Sequence, residues 1–234
     1  MKTLTVYLLA YNESFLLPQV DKWWKERFIN PKIIVYDNES IDNTVKLAQQ
    51  LGWEVRTFST GGKMSDLVQM NIKNECWKDC DTDFAWISDF DELPGFTQKE
   101  LDNLSENISM VRMKGWEFID VAYTIQDAQY GIQTDGYSKN TLIRPSKLIE
   151  TNYEAGAHKC KPSLKEGIVA DKILDLYHMK WFNPTHALYR ASLLGGEHQS
   201  NDNKLRKWSY HFSLPLEDHL NYYKTHFANR IKIR

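Results

Sequence analysis

Apolar and polar positions fall into two alternating kinds of block along the first part of the chain. TLTVYLLA (3–10), KIIVYD (32–37), WEVRTFS (53–59) and DFAWISD (83–89) are apolar runs of strand length. The first two are continuous rather than alternating, which predicts strands covered on both faces. Helical patterns separate the runs. Phe15, Val20, Trp23, Trp24 and Phe28 recur roughly every three to four residues, predicting a helix over 14–28 with Pro18 in its first turn. Asp42 caps a second helix that Gly52 ends, and a third covers 65–78. Strands alternating with helices predict an α/β fold: a Rossmann-like, mostly parallel central sheet with helices on both faces.

Beyond residue 95 the pattern loosens. Thr97 and Glu100 form a capping box that opens a helix to about Asn107, and SMVRMKGWEF (109–118) predicts another strand. Residues 120–180 mix short β-like runs (YTI, NTLIRP, KILDLYHM) with Gly-containing turns; 185–194 and 217–227 read as helices. Without a repeat, a low-complexity stretch or a linker, residues 1–234 predict one domain, regular to about 95 and less regular after it.

Ligands of parallel α/β sheets bind beyond the carboxyl ends of the strands. That rule gathers four polar clusters: Tyr11, Asn12 and Glu13 after the first strand; Asp37, Asn38, Glu39 and Ser40 after the second; Gly61, Gly62 and Lys63 after the third; and Asp89, Asp91 and Glu92 after the fourth. In extended chain Asp89 and Asp91 point the same way and Phe90 the other. Two converging carboxylates suit a hard divalent cation, Mg²⁺ or Mn²⁺; the bland alternative is a solvated strand exit. Like charges this close repel, so a positive partner is expected, and a cation shared with the diphosphate of a sugar nucleotide would supply it.

Composition narrows the partners. The formal charge of −2 shows no basic excess for nucleic acid or an anionic membrane. Aromatics make up 13%, and such rings line sugar and nucleotide sites as well as cores. The apolar N-terminal run is broken at Tyr11 to Glu13 and is better read as a buried strand than as a signal peptide, and nothing approaches a membrane span of ~20 apolar residues. Three cysteines, Cys76, Cys80 and Cys160, do not make a disulfide framework, so a reducing, cytoplasmic compartment is expected.

LLAYNES (8–14), VYDNESIDNT (35–44), the 63–74 region and ISDFDE (87–92) together resemble the family 2 glycosyltransferases of the GT-A fold, over roughly residues 3–95. Ile72, Lys73 and Asn74, followed by Trp77 and Lys78, resemble a subgroup of that family. Glu39 departs from it, standing where small residues are common. The resemblance implies that Ala10 and Tyr11 frame the nucleobase, that Asp37 accepts a hydrogen bond from the base, and that Asn38 and Ser40 shape the loop. It implies Asp89 at the ribose and metal, with Asp91 the principal metal ligand. A late histidine often completes the metal shell in this fold, which points to His178 and favours Mn²⁺. Asn12, Glu13 and Lys63 belong to the same nucleotide-sugar loops; Lys73 is either phosphate-facing or a solvated helix residue. Simpler readings stay open for others: an Asx turn at Asp37, an N-cap at Asp42, a core position for Trp77.

The expected acceptor half, about 96–234, offers further candidates. Lys180 and Arg190 could face the diphosphate. An inverting transfer needs a general base, for which Glu154 and then Asp120 are the candidates. His158 could bind substrate; Trp208, Tyr210 and His211 could close over the donor or simply pack on the core. The sequence thus predicts a metal-dependent glycosyltransferase that uses a UDP- or GDP-linked donor and a hydroxyl acceptor on a glycan or glycoconjugate. The alternatives are a nucleotidyltransferase, for which AYNESF lacks the Gly-rich basic loop, and a non-catalytic glycan- or nucleotide-binding module.

Overall fold

The computed structural model describes all of residues 1–234. Its first half alternates β1 (Leu4–Ala10), α1 (Leu17–Arg27), β2 (Lys32–Asp37), α2 (Thr44–Gln50), β3 (Glu54–Thr57), α3 (Asp66–Glu75) and β4 (Phe84–Asp89). The second half adds β5 (Glu92–Pro94), α4 (Gln98–Asp102), β6 (Ile108–Ile119), β7 (Tyr130–Gln133), β8 (Leu142–Ile143), β9 (Leu148–Glu150), β10 (Ser163–Leu164), β11 (Ile168–Trp181), α5 (Pro184–Leu194), α6 (Asn201–Arg206), α7 (Leu216–Ala228) and β12 (Ile231–Lys232). The main sheet runs β12-β7-β6-β8-β4-β1-β2-β3, with β11 pairing to both β6 and β5. Strands β3, β2, β1 and β4 are mutually parallel; β8 pairs antiparallel with both β4 and β6, β7 pairs antiparallel with both β6 and β12, and β11 lies parallel to β6 and antiparallel to β5.

All seven residues of β1 are buried, as its unbroken apolar run demands of a central strand. Alternation splits the core between two faces. Leu4, Val6, Leu8 and Ala10 join the larger cluster with Trp23, Trp24 and Ala48 from α1 and α2. Tyr7, Ala85 and Ile87 join the smaller one with Cys76 and Trp77, which follow α3. Trp24 stands edge-on to Trp86 of β4, and its truncation to Ala would cost about 3–5 kcal/mol. Trp77 is therefore a core residue. No helix is long and apolar enough to cross a membrane, and all three cysteines are free thiols.

Several boundaries differ from the sequence expectation. The first helix starts at Leu17, because Pro18 can occupy only its first turn. The capping box of Thr97 and Glu100 forms, but α4 stops at Asp102 rather than near Asn107. YTI (123–125) is a turn, and the short strand β5 was not anticipated at all.

Candidate active site

In register, Leu9 of β1 pairs with Asp89 of β4 and Ala10 pairs with Asp37 of β2, so these strands end at one level. Above that edge lies a cleft of about 970 Å³, including its open mouth. Ala10, Tyr11, Glu13, Asp89, Asp91, His158, His178, Lys180, Arg190 and His211 all line it. Phe90 turns into the core and packs near Trp53, but it and Asp91 lie in the turn between β4 and β5 rather than in extended strand.

Crowded acids at this edge are balanced mainly by lysines. Lys73 of α3, buried, contacts Asp89 Oδ1 at 2.6 Å, and buried Lys139 stands 3.6 Å from Asp89 Oδ2. Lys139 also pairs with Glu92, only 1% exposed, whose other oxygen accepts from the Asp89 amide at 3.3 Å. Burial would raise the Asp89 pKa, but Lys73 and Lys139 outweigh it and hold the carboxyl well below its usual range. The expectation that Asp89 and Asp91 tolerate one another through a divalent ion is corrected for Asp89, whose charge two side-chain ammonium groups already balance. Lys73 is accordingly neither solvated nor free to face a phosphate.

Asp91 is differently placed. Its Oδ2 faces His178 Nε2 at 3.5 Å, and the other ring nitrogen, Nδ1, faces Glu117 Oε1 at 3.5 Å. Sheet register explains this: His178 of β11 lies between Glu92 of β5 and Glu117 of β6. Tyr137 stacks on the imidazole with centroids 3.9 Å apart. Burial would lower the His178 pKa, but Asp91 and Glu117 outweigh it and raise it. No three His, Cys, Asp or Glu side chains form a ready-made metal cage. Asp91 and His178 nevertheless present a carboxylate oxygen and an imidazole nitrogen side by side, a donor pair that fits Mn²⁺ or Mg²⁺.

Arg190 of α5 ties down the loop after β1, donating to the Tyr11 and Asn12 carbonyls at 2.8 and 3.3 Å and contacting Glu13 at 2.6 Å. Burial, only partly offset by Arg190, pushes Glu13 up to about 8. Lys180 lies 4.5 Å from the Phe212 ring, and burial lowers its pKa.

No protein-family model and no curated protein matches the chain. Among solved structures it is similar to S. aureus TarS, at 14% identity over 92% of this chain and 44% of that one, with a TM-score of 0.46. It is similar to the mannosyltransferase PcManGT from Pyrobaculum calidifontis in complex with GDP-Man and Mn²⁺, at 11% identity over 97% and 74%, with a TM-score of 0.48. It is similar to glucosyl-3-phosphoglycerate synthase from Mycobacterium tuberculosis in complex with Mn²⁺, UDP and glucosyl-3-phosphoglycerate, at 18% identity over 50% and 44%, with a TM-score of 0.36. The chain spans 44% of the length of TarS and of the synthase.

Other candidates fall outside the cleft lining. Asn12, with φ 53°, accepts from the Ile41 and Asp42 amides at 2.8 and 3.3 Å and so holds the loop before α2. Asp37 Oδ2 accepts from the Ser40 amide at 2.9 Å, making the local turn, while its buried Oδ1 has no partner. Glu39 adopts φ 53°, the left-handed region, with Ser59 Oγ donating to it at 2.7 Å. Asn38 accepts from Thr60, and Lys63 reaches the Glu197 carbonyl; both border a small hollow beside Tyr11. Trp208 has Arg206 over its ring and does not line the cleft, whereas Ser209, His211 and Phe212 do.

The two base candidates also lie elsewhere. Asp120 spends its carboxylate on the amides of Val121, Gln129 and Tyr130 at 2.9, 2.8 and 3.2 Å. Glu154 is exposed on a neighbouring hollow, which meets the cleft at Tyr137 and His158. His158 Nδ1 is 2.5 Å from the Gly136 carbonyl oxygen; burial and then Lys139 push its pKa down to about 4.

Sequence reasoning missed Lys139, Glu117, Tyr137 and Asp66. Glu117 carried a signal, an acid inside the apolar run WEFI (116–119). Asp66 carried a weaker one, standing just after the cap Ser65; it lines the cleft with a buried, unpartnered Oδ2, and burial raises its pKa. Lys139 and Tyr137 carried none.

Proposed function

We propose that the chain is a glycosyltransferase that moves a sugar from a nucleoside-diphosphate donor to an acceptor hydroxyl of a glycan or glycoconjugate, with inversion. One observation carries the reading: Asp91 and His178 stand side by side with the cations Lys180 and Arg190 in one cleft at the carboxyl ends of the parallel strands. The family resemblance of the motifs that form those strand ends supports it. The base and ribose would lie toward Ala10, Tyr11 and Asp89, with the diphosphate toward Lys180. Asp91 and His178 would hold Mn²⁺ or Mg²⁺, which when bound stabilises negative charge developing on the leaving diphosphate.

In the transfer, the bond from the anomeric carbon to the phosphate oxygen breaks with its electron pair going to the diphosphate. The acceptor oxygen bonds the opposite face of that carbon. We assign the hydroxyl proton to His158 Nε2. The ring lines the seam between the cleft and the neighbouring hollow, its lowered pKa leaves it unprotonated at neutral pH, and its Nδ1–H can donate to Gly136, leaving Nε2 free to accept. His158 takes this place from Glu154, which lies out on the neighbouring hollow, and from Asp120, whose carboxylate is already committed to three amides.

The test is a melting-temperature screen of UDP- and GDP-sugars with and without Mn²⁺, followed by detection of released nucleoside diphosphate. One donor class should stabilise the protein in a metal-dependent way, and Asp91→Asn should abolish that effect. Stabilisation that survives Asp91→Asn would refute the role of Asp91; release of inorganic pyrophosphate would indicate nucleotidyl transfer instead.

A further inference from the structure

The pair Glu117 and Tyr222 lies behind His178, and none of the motifs above accounts for it. We infer that Glu117, held by Tyr222 of α7, is a positioning residue that fixes the tautomer and orientation of the His178 ring. The inference rests on the metal-dependent reading only for its purpose, not for its geometry.

Glu117 is 1% exposed on β6, directly in register with His178. A carboxylate buried this deeply needs hydrogen-bond donors on both oxygens. The Tyr222 hydroxyl donates to Oε2. Oε1 faces His178 Nδ1 at 3.5 Å, and neither of those two atoms has another partner. Carboxylates on both sides of the ring only accept, but Asp91 opens to the cleft, where water or a cation can satisfy it, whereas buried Glu117 Oε1 has no other donor, so the hydrogen of a neutral His178 belongs on Nδ1. The Nε2 lone pair is then left toward Asp91, as a ligand nitrogen must be.

Aromatic packing fixes both ends of this chain. Tyr137 stacks on the His178 ring, and Trp181 stacks on Tyr222 with centroids 5.8 Å apart. Orientation of a cleft-facing ring is thereby set by α7, more than a hundred residues away from Glu117 in sequence.

Two readouts test this: the ¹⁵N chemical shifts of His178 in metal-free protein at alkaline pH, and Mn²⁺ affinity without donor, from the free-ion EPR signal. The wild type should show the Nδ1–H tautomer. In Glu117→Gln, Tyr222 keeps the amide oxygen and the amide N–H faces Nδ1, so the tautomer should switch to Nε2–H. Mn²⁺ affinity should fall about 10–100-fold. Adding Tyr222→Phe frees the amide to turn its oxygen toward Nδ1 and should recover much of both. A wild type with the Nε2–H tautomer, or a Glu117→Gln protein unchanged in both readouts, overturns the inference. Should Glu117→Gln fail to fold, the wild-type tautomer and a smaller affinity loss in Tyr222→Phe decide it. A wild type that has the Nδ1–H tautomer but binds no Mn²⁺ supports the positioning role and counts against the metal-dependent function.

Discussion

Replacing Lys139 with Met removes the cation shared by Asp89 and Glu92 while keeping most of the side-chain volume. At 3.6 Å, the Lys139–Asp89 attraction alone is about 5 kcal/mol for an effective dielectric constant near 20. The contact with Glu92 adds to this, and the avoided cost of burying the ammonium subtracts from it. Breaking one side of a buried pair costs about 3–5 kcal/mol overall. For a chain of this size that corresponds to a melting temperature lower by about 6–20 °C. Urea titration at several pH values is the appropriate assay. The pKa of Lys139 is raised, because Glu92 and Asp89 outweigh the effect of burial. Its stabilisation is therefore fully present below the unfolded lysine pKa and is constant across neutral pH. A second change, Glu92→Gln, should recover most of the lost stability, since Lys73 still holds Asp89. A loss below about 1 kcal/mol, or a double variant as weak as the single one, would refute the lysine-clamp account of the acidic edge.

Other expectations concern histidines and a loop anchor. Burial, followed by nearby cations, holds His186 at about 4 and His211 at about 3, below the unfolded value of ~6.5. The unfolded chain therefore binds more protons between those values, and stability present above pH ~6.5 should be lost as pH falls toward 4; thermal melts should show this, with His211→Gln flattening the fall. Asp120→Ala should cost about 2–3 kcal/mol in denaturant titrations by stranding three amides, while leaving donor-induced stabilisation intact; loss of that stabilisation in a protein of unchanged stability would restore Asp120 as a site residue.

Strands β1, β2 and β4 were legible because each is a local signal, an apolar run covered on both faces that needs no knowledge of its partners; β3, the exposed edge strand, was legible only from its β-type residues between turn signals. The polar ends of those runs followed from the rule that loops gather beyond the carboxyl edge; the inward Phe90 was foreseen, although a turn between β4 and β5, not strand alternation, sets it and Asp91. Local signals also set Ser65, Thr97 and Asn183 as helix caps, of which only Thr97 was foreseen in the sequence; the cap expected at Asp42 falls to Asn43, and Asp42 accepts from the Thr44 amide instead.

Charge balance was not local. The positive partners of Asp89 come from α3 and from a loop fifty residues downstream, and only the folded chain decides which cation meets which acid. The same holds for Glu117, Tyr137 and Tyr222, which meet at His178 through sheet register, stacking and helix docking. Sequence determined where carboxylates accumulate, because strand periodicity is written residue by residue. Tertiary structure alone decided how each is neutralised, because electrostatic energy depends on distance in space, and residues far apart in the chain set that distance.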